Sequence, residues 1–192
     1  IYLFGGIFRG KSGTGYYEPP DKGSRTSYYQ AVRRDRMEKY DRVIFVSTDD
    51  TCKGPMAEGV MRGLIEGREL TTASRGMVVL FPEPINPKAA SAAESFGVPL
   101  FHPRTVPFKE EDLNERTLVL TMTEQQKRSI YEQYETAINV YTINEFLDGE
   151  GDVEDPTGGD MQVYVECFER ISVLVKLVAE KLFLEEEKGG QA

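Results

Sequence analysis

The 192-residue chain is 40% apolar and 29% charged, with a formal net charge of −9. That is the balance of an ordinary globular domain, and its sign argues against general nucleic-acid binding. No apolar run approaches the roughly 18 residues of a membrane-spanning helix, and two separated cysteines with one histidine suit neither a disulfide framework nor a structural zinc site, so a cytoplasmic protein without metal or cofactor is expected.

The chain opens at Ile1 rather than Met, which reads as a processed or trimmed chain or a fragment, and IYLF is too short for a signal-peptide core. Residues 1–27 are rich in Gly, Pro, Ser and Tyr and read as irregular. Gly5–Ser12 (GGIFRGKS) fits the G-x-x-x-x-G-K-[ST] pattern of a nucleotide-binding loop. That chemistry requires a helix next, whose N-terminal amides hold the phosphates, and GTGYYEPP is a poor helix start. The match is therefore read as a Gly-rich loop. Ser27–Tyr40 is read as a basic helix capped by Ser24 or Ser27.

From Arg42 the texture changes. RVIFVS (Arg42–Ser47) reads as a buried strand, followed by a polar loop and a helix with Met56, Val60, Met61 and Leu64 on one face. ELTTASRG and MVVLF (Met77–Phe81) both read as short strand-like pieces. NPKAASAAESFG is a helix closed by Gly97. RTLVLTM is a buried strand, and TEQQKRSIYEQY is a helix opening on a Thr-x-x-Gln capping box. AINVYTI is a further strand. A long terminal helix carries an apolar stripe of Val163, Cys167, Ile171, Leu174, Val178 and Leu182. Strands alternating with helices predict an α/β domain whose parallel sheet is covered on both faces. The expected organisation is an appendage over 1–40, a domain over 41–187 and a tail over 188–192.

The segment VIFVSTDDTCKGPMAEGVMR, Val43 to Arg62, resembles the active-site segment of low-molecular-weight protein tyrosine phosphatases. In that family the first strand ends in a catalytic Cys, followed by a loop containing Gly-Asn and then Cys-Arg-Ser-Pro-Met-Ala-Glu. The family's second signature, Asp-Pro, reappears at Asp155–Pro156, and TTAS stands where the family has a Ser-Ala-Gly turn. The resemblance spans about residues 42–184 and implies a three-layer fold: a four-stranded parallel sheet flanked by helices.

For the site, the resemblance implies Ser47 at the nucleophile position, Lys53 at the Arg position, Asp155 at the general-acid position, and Thr48, Asp49, Asp50, Thr51 and Cys52 along the phosphate loop. A serine hydroxyl stays protonated where loop dipoles would ionise a thiol. Lysine keeps the charge of Arg and loses its bidentate fork, and one lost transition-state donor costs about 3–4 kcal/mol. Asp49 and Asp50 replace Gly-Asn and would repel a phosphate dianion, although Asp50 can still hold a left-handed turn. Gly54 replaces a loop Ser, and Thr157 replaces an aromatic residue of the substrate slot. His102 is read as a surface or loop residue and not as a base. Cys52 is read with its sulfur turned away from the phosphate seat.

These losses make a pseudophosphatase with a regulatory or interaction role the leading expectation, and an active or slow phosphatase the alternative. The expected partner is a protein or a phosphotyrosine-like, anionic ligand, with a homodimer possible and neither nucleic acid nor membrane. The Asp49–Asp50 pair also raises the opposite option, a cation or a basic peptide. The basic Arg25–Tyr40 and acidic Asn144–Asp160 stretches are read either as solvated faces or as halves of an intermolecular contact.

Overall fold

Four parallel strands, β1 (Arg42–Ser47), β2 (Thr71–Gly76), β3 (Thr117–Thr121) and β4 (Val140–Thr142), form one sheet in the order β2-β1-β3-β4. The helices are α1 (Lys53–Leu64), α2 (Pro87–Ser95), α3 (Glu124–Gln133), the one-turn α4 (Ile143–Phe146) and the long α5 (Met161–Gly189). The structure, a computed structural model, describes residues 40–189, with side chains to Phe183. The Gly5–Ser12 loop and the helix read over Ser27–Tyr40, apart from its last residue, lie outside the described residues.

The alternation of a β-strand builds the three layers. Val43 and Phe45 of β1, with Leu118 and Leu120 of β3, pack under α1, α2 and α5. Ile44, Val46 and Val119 point the other way, onto Phe108, Leu113 and Ile130 of α3. Such side chains each contribute about 1.5–3 kcal/mol when fully buried. Sheet faces covered on both sides explain why β1 and β3 read as continuous apolar runs. Helix ends follow local chemistry. Asn86 accepts from Lys88 N at 2.9 Å to start α2, and Gly97 takes φ +71° after it. Thr123 and Gln126 form the anticipated capping box of α3.

Two expectations fail. Met77–Phe81 is not a strand: β2 ends at Gly76, and Met77 N and Val78 N donate to Ser47 O and Thr48 O at 3.0 and 2.8 Å. The segment therefore crosses over the end of β1, and Pro82 and Pro84 follow it, removing donors that a strand would need. The stripe of α5 is also rotated. Tyr164, Phe168 and Val175 are buried in place of Val163, Cys167 and Leu174, whereas Ile171, Val178 and Leu182 are buried as expected. Orienting two aromatic rings inward buries more area than a Val and a Cys would; Phe168 stacks on Phe96 with centroids 5.1 Å apart.

Candidate functional site

The loop between β1 and α1 sits at the carboxyl end of the sheet, where β2 and β3 leave β1 on opposite sides. Open α/β sheets place ligands at such a switch point. Ser47 ends β1 and is 2% exposed. Three amides stitch the loop down: Met77 N and Val78 N of the crossing segment as above, and that of Asn86, the N-cap of α2, to Thr51 O at 2.9 Å. Asp50 takes φ +62°, the left-handed turn expected of it.

Gly76 allows this approach. A Cβ there would fall 2.8 Å from Asp49 C and 3.0 Å from Asp50 N. Both neighbours are backbone, so Gly76→Ala should displace the loop and lower stability by about 1–3 kcal/mol. At Gly63, in α1, a Cβ meets nothing within 4 Å, and Gly63→Ala should raise stability by up to about 1 kcal/mol. Opposite signs in parallel urea titrations would verify the close approach.

The carboxylates lie differently from the sequence expectation. Asp50 is fully buried and turned away from the loop mouth: its Oδ2 accepts from Val106 N at 2.9 Å and lies 3.9 Å from His102 Nε2. Burial pushes its pKa up to about 6 against the lowering effect of the Val106 hydrogen bond. Asp49 is exposed, and its Oδ1 accepts from Thr51 N at 3.0 Å and Thr51 Oγ1 at 2.9 Å. One loop amide is thus already held by a carboxylate of the loop itself.

His102 is not a simple surface residue. Its Nε2 lies 2.6 Å from Ser74 Oγ and 3.2 Å from Glu58 Oε2, and its Nδ1 lies 2.8 Å from Arg104 O. The Glu58 hydrogen bond raises its pKa, with burial opposing. Burial pushes Glu58 upward, but bonds from His102 and Arg62 outweigh it and hold the carboxyl below its usual range. This polar cluster under the loop has a faint sequence signal at most, since Glu58 interrupts an otherwise apolar face of α1.

Ser47 Oγ and Asp50 Oδ1 are buried and have no hydrogen-bond partner among the described residues. Each lies 3.0 Å from where a Gly54 Cβ would stand, with Ser74 Cβ at 3.2 Å, so a side chain at position 54 would be crowded. Lys53 is 5% exposed; its Nζ donates to Val153 O at 3.1 Å and lies 3.5 Å from Asp155 Oδ2. Asp155 accepts from Thr157 N at 2.9 Å. Burial pushes Asp155 upward, and the bonds from Thr157 and Lys53 leave it below the ordinary carboxylate range. The Cys52 thiol is packed in the core and its pKa is raised by burial, which suits an inert sulfur. Thr48 Oγ1 accepts from Gln126 Nε2 at 3.1 Å. Over these groups lies a cleft of about 430 Å³ bordered by Thr48, Lys53, Met77, Val78, Gln126 and Asp155. Among the described residues no cluster of His, Cys, Asp and Glu could hold a metal, and no helix is long and apolar enough to cross a membrane.

Residues 42–188 match the family of low molecular weight phosphotyrosine protein phosphatases. The chain belongs to that family. It is 30% identical over 135 residues to the low molecular weight protein-tyrosine-phosphatase PtpB of Staphylococcus haemolyticus, covering 70% of this chain and 94% of the relative. It is 32% identical over 144 residues to a protein-arginine-phosphatase of Bacillus subtilis, covering 73% and 95%. Among solved structures, a Cys-to-Ser mutant of the arginine phosphatase YwlE with a phosphorylated active-site serine superimposes with TM-score 0.69 at 32% identity, covering 73% and 95%. Within that family's fold, the chain brings Lys53 and Asp155 together in one cleft, and Ser47 lies buried at the end of β1. The loop itself keeps the left-handed turn.

Proposed function

We propose that this member of the low-molecular-weight phosphatase family is a pseudophosphatase, a protein that uses the fold for interaction or regulation and does not turn over phosphomonoesters. The observation that carries the reading is Ser47. It stands at the nucleophile position, and its Oγ has neither a base nor any other hydrogen-bond partner among the described residues. A serine nucleophile needs such a base to lose its proton at neutral pH. Lys53, at the Arg position, spends its ammonium on Val153 O and Asp155 and has no fork to hold two phosphoryl oxygens.

The test is hydrolysis of p-nitrophenyl phosphate by the wild type beside Asp155→Ala. Both should sit at the buffer background. Turnover that Asp155→Ala abolishes would sink the reading. A second reading, a slow or single-turnover phosphatase, draws support from the YwlE mutant with its phosphorylated serine. On that reading, intact-mass spectrometry after incubation with the same ester would find one added phosphoryl group, mapped to Ser47 and absent from Ser47→Ala. An unmodified mass favours the pseudophosphatase.

A further inference from the structure

Met77 and Val78, in the segment that the sequence reads as a strand, border the cleft, and the rest of that apolar segment follows outside it. Val78, Leu80 and Phe81 are 58%, 86% and 64% exposed. The segment is held in place on both sides, by the Met77 and Val78 amides at one end and by Glu83 N to Thr105 Oγ1 at 2.9 Å and Asn86 N to Thr51 O at the other. Large apolar side chains fixed in this way beside a cleft mark an interaction surface.

The opposite wall is acidic. Asp152, Glu154 and Asp155 line the cleft, and Lys53 is the cation facing them, so three carboxylates against one ammonium leave it two charges negative. Lys53 is buried and engaged, whereas Asp49, on the adjoining loop, is exposed. Three amide donors that would welcome an anion are already taken: Thr51 N by Asp49, Glu124 N by Asp152 at 2.8 Å, and Thr157 N by Asp155. The Glu154 carboxylate has no cationic partner among the described residues.

We infer that the cleft receives a cationic side chain, an unmodified arginine or lysine of a protein partner, whose flanking apolar residues rest on Val78, Leu80 and Phe81. The inference deepens the pseudophosphatase reading and rests on it, since a cleft that holds a cation is not processing a phosphoryl dianion. Charge complementarity selects this occupant. Arginine fits better than lysine, because its planar fork can meet two carboxylate oxygens at once.

The test is fluorescence anisotropy with a labelled peptide carrying Phe-Arg-Leu, against versions carrying Phe-Lys-Leu, Phe-Gln-Leu and Phe-phosphotyrosine-Leu. Expected are saturable binding of the Arg peptide, weaker binding of the Lys peptide, a loss of about tenfold or more for the Gln peptide, and weakening as salt is raised. Glu154→Gln/Asp155→Asn should weaken the Arg peptide by about tenfold or more and bring it close to the Gln peptide. Leu80→Ser/Phe81→Ser, both exposed and so tolerated by the fold, should weaken all of the peptides. Equal binding of the Gln peptide, tighter binding of the phosphotyrosine peptide, or no saturable binding at all would overturn the inference. The same preparations are assayed for p-nitrophenyl phosphate turnover. Absent turnover with absent peptide binding removes only this inference, whereas turnover removes the pseudophosphatase reading whatever the peptides do.

Discussion

Ser47→Cys alone should leave p-nitrophenyl phosphate hydrolysis at least about a hundredfold below that of Ser47→Cys/Asp49→Gly/Asp50→Asn/Lys53→Arg/Gly54→Ser, the set that rewrites the loop toward the family's own residues. The reason is that a loop thiol becomes a nucleophile only when dipoles and cations depress its pKa. In this chain Asp49 occupies the Thr51 amide, and Lys53 is bound to Val153 O and Asp155. A cysteine placed there would meet carboxylates where it needs positive charge. Restoring Arg returns a bidentate transition-state donor, worth about 3–4 kcal/mol or roughly two to three orders of magnitude. Restoring Gly and Asn frees the amide and removes two carboxyl groups. Restoring Ser at Gly54 returns the family's loop hydroxyl, with its Cβ pressing on positions 47 and 50, which must give by a few tenths of an ångström. The contributions are not additive, because residues that act on one transition state fail together. The check is steady-state hydrolysis with folding confirmed by circular dichroism. If the single Cys variant matched the full set, Ser47 alone would be what silences the site, and the loop substitutions would be incidental.

Stability should fall as pH rises from about 4 to about 7, and Asp50→Asn should remove most of that fall. The sign comes from the direction of the Asp50 shift. Its folded pKa is raised, from an ordinary 3.8 to about 6, so the folded state binds the proton more tightly than the unfolded one. Stability contributed by the neutral carboxyl is complete below about 4 and is lost as pH passes through about 6. At about 1.4 kcal/mol per pH unit, the full loss is of the order of 3 kcal/mol. His102 acts in the same direction at higher pH: its folded pKa is raised, chiefly by Glu58, so its contribution is present below the ordinary value and lost as pH rises through the folded one. Glu58 is lowered; its contribution is present above the ordinary carboxyl range and lost in acid, outside this window. An asparagine at position 50 can keep the Val106 amide bond and adopt φ near +62° without undue strain. Urea midpoints for wild type and Asp50→Asn should therefore nearly coincide near pH 4.5 and differ by up to about 3 kcal/mol near pH 8. A difference that stayed constant with pH would mean that Asp50 does not ionise in the folded protein.

Much of the scaffold could be read from the chain because its signals are local. RVIFVS and RTLVLTM are apolar on both faces, as central parallel strands must be, and Thr123–Gln126 and Asn86 are caps whose hydrogen bonds reach only two or three residues. The loop positions Ser47 to Gly54 could be named because they are contiguous, and the left-handed turn at Asp50 because short polar side chains tolerate it. MVVLF was misread for a related reason. Its composition is that of a strand, but strand formation depends on a neighbour to pair with, and the edge of this sheet ends at Gly76.

The chain by itself thus determined the order of elements, the family and the residue types that fill the loop after β1, Ser47 and Lys53 among them, all properties of residue type and short spacing. Only the tertiary structure decided what those residues meet. It turned Asp50 inward to Val106 and His102, engaged Lys53 with a carbonyl a hundred residues away, and set Val78 on a cleft lined by Asp152, Glu154 and Asp155. A buried charge is governed by whichever groups the fold brings within a few ångströms, whatever their distance along the chain, and that information exists only after packing.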